Sequence, residues 1–217
     1  MWTTPKLAAS ISPATSHFSD YFSNHFPNSF AFYNTDAVEI IDIVSSFKNK
    51  NSSGIDNIPI SIVKSTITAV AKLVSDIINS SFVNGIFPDL LKLAVVHPVF
   101  KSGEKSNIKN YRPISVLPSF SKFFEKAVFN RLLSFLDLNK TLCDFQYGFR
   151  SRHSTFMPLI DMCDRVSKAI DKKEYSVGVF IDLSKAFDTL SHDILLKKLE
   201  LYGIRGISLE WFKLFTQ

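Results

Sequence analysis

Between Pro59 and Gly85, apolar residues recur at helical spacing: Ile62, Val63, Ile67, Val70, Val74, Ile77 and Ile78. A helix of that length with one apolar stripe has to be covered along its whole course by other elements. Pro59 suits a first helical position and Gly85 the residue just past the last turn. A second stripe precedes it, with Asp36 and Glu39 as a capping pair and Ala37, Ile40, Ile41, Val44 and Phe47 on one side, so a helix is expected over 37–48. The chain is therefore expected to be helix-rich from residue 36 on. Residues 1–35, rich in Ser, Thr, Asn, Pro and Phe without sustained periodicity, read as a linker or arm.

After a short helical turn at Pro88 the pattern changes. Residues 94–101 alternate like a strand, with Pro98 pointing to an edge or bulge, and residues 111–117 resume extended structure after a polar, basic loop over 102–110. Further helices are expected over 119–136, over 155–172 (or from Pro158), after Ser191 and from Ser208. Helices outnumber strands, which defines an α+β class with few strands.

Charge narrows the function. Residues 92–152 hold 11 Lys/Arg against 4 Asp/Glu, whereas residues 1–91 hold 5 against 7 and residues 153–217 hold 9 of each. The whole positive excess sits in the segment that carries the two strands, where it can neutralise phosphates or form an ordinary solvated surface. No run approaches the roughly 18 apolar residues of a membrane span, and the start of the chain lacks the pattern of a secretory signal. Cys143 and Cys163 have no metal-ligand spacing and read as reduced core residues of an intracellular protein. His97, His153 and His192 lack partners at ligand or triad spacing, so no catalytic role attaches to them.

The segment Tyr175–Asp182 reads as a strand with Val177, Val179 and Ile181 on one face, covered by helices, and Gly178, Phe180 and Asp182 on the other. A carboxylate at the end of a buried strand is costly without a partner or a cation. Asp182 either caps a turn or helps to hold a hard divalent ion, and the residues alone leave both open. Asp188 reads as the cap of the following helix.

The run Phe180-Ile181-Asp182-Leu183-Ser184-Lys185-Ala186-Phe187-Asp188, followed by Ser191-His192, resembles the first catalytic block of non-LTR (LINE-type) retrotransposon reverse transcriptases, close to the versions in jockey-like elements. Three further stretches resemble other blocks of that family in the same order. They are Ser53-Gly54-Ile55-Asp56-Asn57-Ile58-Pro59, with Ser53 where Pro is usual; Phe100-Lys101-Ser102-Gly103 leading to Asn110-Tyr111-Arg112-Pro113-Ile114-Ser115; and Gln146-Tyr147-Gly148-Phe149-Arg150 with Ser154-Thr155.

The resemblance implies a right-hand polymerase fragment: residues 36–92 a helical lead-in, 93–153 the fingers, and 154–217 the truncated start of the palm. It implies an RNA-directed DNA polymerase acting on an RNA template, a DNA primer and dNTPs, in the nucleus and cytoplasm, with two Mg²⁺ ions in the complete enzyme. Asp182 matches the catalytic aspartate that ligates both ions, and the carbonyl of Leu183 would bind one. Two metals would activate the primer 3′-OH and stabilise the leaving pyrophosphate. Arg112, and more weakly Lys101, match nucleotide-binding positions, where an Arg fork suits phosphate oxygens. Phe187 matches the steric gate against a 2′-OH, or is an ordinary core ring among the 21 Phe. Gln146, Arg150 and Arg152 would position the template.

Polymerase chemistry needs more carboxylate than these blocks supply. The family carries an aspartate pair on a Tyr-x-Asp-Asp hairpin and a Pro-Gln-Gly block before it, and neither sequence occurs here. The expectation is thus an N-terminal piece of the enzyme, without the remaining palm and the thumb, inactive by itself and poorly soluble because its palm strand lacks a neighbour. The alternative is a non-catalytic nucleic-acid-binding module left from a decayed element. An aspartate phosphoacceptor in an α/β signalling domain would need alternating strand–helix units, which residues 36–92 do not provide.

Overall fold

The computed structural model of the chain describes residues 26–183, 186–187 and 189–216. Helix α1 spans Ala37–Ser46; the Asp36 carboxylate accepts the Glu39 N–H at 2.8 Å and caps it. Helix α2 spans Ile60–Asn84 and closes on Gly85 in the left-handed conformation (φ 66°), whose N–H reaches the Ser81 carbonyl. Strands β1 (Val95–Phe100) and β2 (Tyr111–Val116) pair antiparallel, and four more helices follow: α3 (Ser119–Leu138), α4 (Phe156–Asp171), α5 (His192–Leu201) and α6 (Ile207–Thr216). Each expected element between residues 36 and 172 is present, with ends within about two residues. The chain is helix-rich with a single two-stranded sheet among the described residues.

The described chain falls into two compact units. One comprises residues 26–135 and 192–216, the other residues 136–191. The first holds the core: Ile40 and Val44 of α1; Val63, Ile67, Val74, Ile78 and Phe82 of α2; Phe123, Phe124 and Val128 of α3; Phe87; and Trp211 and Phe212 of α6. The buried stripe of α2 is turned slightly from the one expected. Ile62 and Ile77 are exposed, while Ala71, Ser75 and Ser81 are buried. Ser81 meets α6, where Trp211 Nε1 donates to its Oγ at 2.9 Å.

Residues 26–35 are not a loose arm. Phe30 is buried, its N–H donates to the Gly203 carbonyl at 2.9 Å, and Phe32 stacks on Phe82 with centroids 4.3 Å apart. The Asn79 side chain pairs twice with the Thr35 backbone, at 2.7 and 2.9 Å. Gly203 (φ 100°) permits this approach: a Cβ there would sit 2.2 Å from the Asn28 carbonyl oxygen. Aperiodic sequence hid the packing because each aromatic ring is used singly, as a plug, rather than along a face.

The second unit has a different character. No residue of α4 is buried, although Phe156, Leu159, Ile160, Val166 and Ile170 form an apolar stripe. The expected strand at 175–182 is an extended segment without a ladder, and Val177, Val179 and Ile181 are 88, 80 and 81% exposed rather than covered by helices. Alternation supplies a face; a strand also needs a neighbour for its N–H and C=O groups, and no described residue fills that place. Both cysteines are exposed, contrary to the core placement expected for them. Cys163 sits on uncovered α4, and Cys143 lies in the turn that follows α3. No helix of the described residues is long and apolar enough to cross a membrane.

Candidate nucleic-acid interface

Lys101 and Arg112 lie on the β1–β2 ribbon of the first unit. The register pairs Val99 with Arg112 and Phe100 with Tyr111, and the next backbone bond, Lys101 N–H to the Asn110 carbonyl, is 2.8 Å. Side chains alternate, and directly paired residues share a face. Val95, His97, Val99, Arg112, Ile114 and Val116 therefore form one face, which Lys101 extends. Val96, Pro98, Phe100, Tyr111, Pro113 and Ser115 form the other. Neither face is buried. Among the described residues neither the Arg112 guanidinium nor the Lys101 ammonium has a partner.

The basic loop joining the strands is pinned from within. Tyr111 Oη donates to the Lys105 carbonyl at 2.9 Å, Asn110 Nδ2 to the Glu104 carbonyl at 2.9 Å, and Asn107 Oδ1 accepts the Lys109 N–H at 3.0 Å. Gly103 (φ 92°) leaves room for the Asn110 side chain, whose Nδ2 would be 2.6 Å from a Cβ. A ribbon exposed on both faces yet held in one shape is suited to presenting cations to an extended anion.

Gln146, Arg150 and Arg152 belong to the second unit, in the turn between α3 and α4. Phe149 and Arg152 both take positive φ, at 62° and 63°, a conformation that costs side chains of L-residues about 1–2 kcal/mol. Arg150 is committed locally: Nη1 donates to the Cys143 carbonyl at 3.1 Å and Nη2 lies 3.7 Å from Asp137 Oδ1. Gln146 is exposed and makes one long bond, Nε2 to the Gly148 carbonyl at 3.4 Å. Arg152 is exposed, with no partner among the described residues.

Asp182 and Leu183 lie on the extended, exposed segment, and Phe187 is exposed with its ring centroid 6.3 Å from that of Phe149 at 88°. Ser184, Lys185 and Asp188 lie outside the described residues, and with them the cap expected of Asp188. The described residues contain no group of three His, Cys, Asp or Glu side chains that could hold a metal ion. Asp182 as described is a single carboxylate, and it does not by itself fit a site for two ions.

Two features went unread in the sequence. Arg131, wholly buried, donates through Nη1 and Nη2 to the two Glu39 oxygens at 2.7 and 2.8 Å, through Nε to the Tyr33 carbonyl at 2.9 Å, and through Nη2 to the Asn34 carbonyl at 3.2 Å. It sits 4.1 Å from the Tyr33 ring centroid. The hydrogen bond from Arg131 holds the Glu39 carboxyl below its ordinary value, against the opposing effect of burial. The second feature is an apolar groove of about 500 Å³ lined by Phe47, Glu125, Phe129, Leu132, Trp211 and Phe215. Burial pushes the Glu125 carboxyl up, partly offset by Ser121 Oγ, which donates to it at 3.1 Å, and by the charge of Lys122. None of the residues singled out by the sequence motifs lines this groove.

The profile of the reverse transcriptase (RNA-dependent DNA polymerase) family matches residues 101–216, from the loop between β1 and β2 through Asp182 to α6. The chain belongs to the reverse transcriptase family. Its relatives include the probable RNA-directed DNA polymerase from transposon BS of Drosophila melanogaster, 34% identical over 75% of this chain and 18% of the relative. The RNA-directed DNA polymerase from the mobile element jockey of the same species is 32% identical over 74% of this chain and 18% of the relative. The probable RNA-directed DNA polymerase from transposon X-element is 29% identical over 71% and 17%. The chain is thus similar to polymerases of jockey-like non-LTR transposable elements, and the matched span is about a fifth of their length.

Proposed function

We propose that this chain is the segment of a retrotransposon reverse transcriptase that presents template, nucleotide and the first catalytic carboxylate. In this reading residues 36–92 are the helical lead-in, 93–153 the fingers and 154–217 the start of the palm of a right-hand polymerase. The observation that carries it is the exposed, internally pinned basic ribbon, whose loop and second strand, with Lys101 and Arg112 partnerless among the described residues, lie inside the family-matched span. Arg112 and Lys101 bind the incoming dNTP through its phosphates. Gln146, Arg150 and Arg152 position the RNA template, and Phe187 excludes the ribose 2′-OH. The site of action is intracellular, in nucleus and cytoplasm, where template RNA and target DNA are found.

Asp182 and the Leu183 carbonyl would contribute two oxygen ligands to a site for a hard divalent ion, Mg²⁺ in the reading that the family resemblance implies. Such an ion would supply Lewis-acid stabilisation of a transferring phosphoryl group. The described residues do not complete that site, and the 217-residue chain contains neither a Tyr-x-Asp-Asp nor a Pro-Gln-Gly sequence. The isolated polypeptide is accordingly a nucleic-acid-binding module without polymerase activity. In a polymerase carrying this segment, Asp182→Asn abolishes primer extension and leaves RNA binding intact; equal loss of both assigns Asp182 a structural role. Extension of a primed template by the purified, nuclease-free 217-residue chain refutes the inactivity.

A further inference from the structure

The ribbon sorts its side chains in a way that the nucleotide-binding reading of Arg112 and Lys101 does not use. Those two cations belong to the face of His97, Val99 and Ile114. The opposite face carries no cation of its own on the strands and instead presents Phe100 beside Tyr111, then Pro98 beside Pro113. The two rings meet edge to face, with centroids 5.4 Å apart and planes at 61°. Phe100 and both prolines are exposed. Tyr111 is fixed by its own hydroxyl, which donates to the Lys105 carbonyl at 2.9 Å. Above the Phe100 ring lies the Lys105 ammonium, 6.0 Å from the centroid. That is the outer limit of a useful cation–π contact, so little is lost when the ammonium moves aside.

A pre-shaped pair of rings, Phe100 exposed and Tyr111 half-buried at its edge, with a displaceable cation over the exposed one, matches the chemistry of an unpaired nucleobase and its phosphate. A base on Phe100 replaces water on an apolar ring and would meet the edge of Tyr111, while Lys105 swings to the adjoining phosphate. The loop Lys101–Asn110 carries Lys101, Lys105 and Lys109 against Glu104, so the field around the rings favours a polyanion. An apolar peptide would use the rings and waste the charge. Duplex would use the charge and leave the rings idle, because its bases are already stacked.

We propose that the Phe100–Tyr111 face of the ribbon is a stacking platform for single-stranded nucleic acid, with Lys105 as its phosphate contact. Arg112 and Lys101 serve a separate anion on the opposite face. The proposal rests on the reading of the chain as a nucleic-acid-binding polymerase segment, and adds to it the contact that engages unpaired bases.

The test uses the full 217-residue chain and two labelled strands of equal length and charge, an oligouridylate and an abasic oligonucleotide of the same sugar, with binding followed by fluorescence anisotropy. Phe100→Leu keeps an apolar side chain at an exposed position. It is expected to weaken the oligouridylate about fivefold, the low end of what one stacked base contributes, and to leave the abasic strand unchanged. Lys105→Gln is expected to weaken both strands alike and to lower the salt dependence of each. Ultraviolet cross-linking of a 4-thiouridine strand to the unaltered chain should fall on Phe100 or Tyr111, which guards against a folding defect in the variant. If Phe100→Leu affects both strands equally or neither, and the cross-link falls elsewhere, the platform is refuted while nucleic-acid binding stands. If the unaltered chain binds neither strand, the platform and the proposed function fall together.

Discussion

Removal of Glu39 tests how the first unit is held together. The Arg131 side chain is 0% exposed and that of Glu39 29% exposed. Glu39→Ala leaves the buried cation with no counter-charge, held by the carbonyls of Tyr33, Asn34 and Ala127, the last already part of a helix, and by the Tyr33 ring. Breaking a buried ion pair by removing one partner costs about 3–5 kcal/mol; because water reaches one side of Glu39, about 3 kcal/mol is the better figure here. With a urea slope of about 2 kcal/mol per molar, the midpoint should fall by about 1.5 M with the slope unchanged. Trp211, buried in the same unit, reports the transition in a Trp2→Phe background. Adding Arg131→Met to Glu39→Ala should recover part of the loss, since it removes the uncompensated charge. A loss below about 1 kcal/mol would mean that the pair behaves like a surface ion pair and that the burial argument is wrong. The pH dependence follows with a definite sign. The folded-state pKa of Glu39 is depressed from 4.5, so its contribution is present above that value and is lost as pH falls through the folded value. Below that window the stabilities of Glu39→Ala and the unaltered chain should converge.

Glu125 should behave in the opposite sense. Its folded-state pKa is raised above 4.5 by burial, so stability declines as pH rises from that value through the folded one, and Glu125→Gln should stabilise the chain at pH 7 but not at pH 4. Equal midpoints for the two proteins at pH 7 would count against this. Gly54→Ala should cost about 1–3 kcal/mol by overpacking, because the new Cβ would lie 2.5 Å from Pro118 N and 2.7 Å from the Leu117 carbonyl carbon, both backbone atoms; an unchanged thermal midpoint would refute it. The exposed apolar residues of 175–183 and α4 should make the isolated chain self-associate, and Val179→Lys should reduce this in analytical ultracentrifugation. A monomeric unaltered chain at tens of micromolar would contradict that expectation.

The helical frame was legible because its signals are local. Asp36 and Glu39 mark the start of α1, Pro59 and Gly85 bracket α2, and the change from a period near four to a period of two marks the ribbon. What stayed hidden depends on partners distant in sequence. Phe30 and Phe32 carry no periodic signal, yet they pack against Gly203 and Phe82. Arg131 lies on the apolar side of α3, at a position where a periodicity argument sees only an interruption, and its purpose is visible only once Tyr33, Asn34 and Glu39 are brought to it. The segment 175–183 fails in the other direction. Its alternation is clear, but a strand is a property of two segments, and the described residues supply one.

The arginines show why a motif places a residue but not its task. Arg112, Arg131, Arg150 and Arg152 carry the same planar five-donor guanidinium. Arg131 is saturated by a carboxylate and backbone carbonyls in the core. Arg150 spends its guanidinium on the Cys143 carbonyl and on Asp137, and so staples the turn that follows α3. Only Arg112 and Arg152 are exposed without partners among the described residues. A phosphate recruiting Arg150 would have to replace bonds already made, whereas one recruiting Arg152 displaces only water. Under the proposed template-positioning role, Arg152 is therefore the one of these two arginines free to touch a phosphate, while Arg150 ties the turn to Cys143 and Asp137.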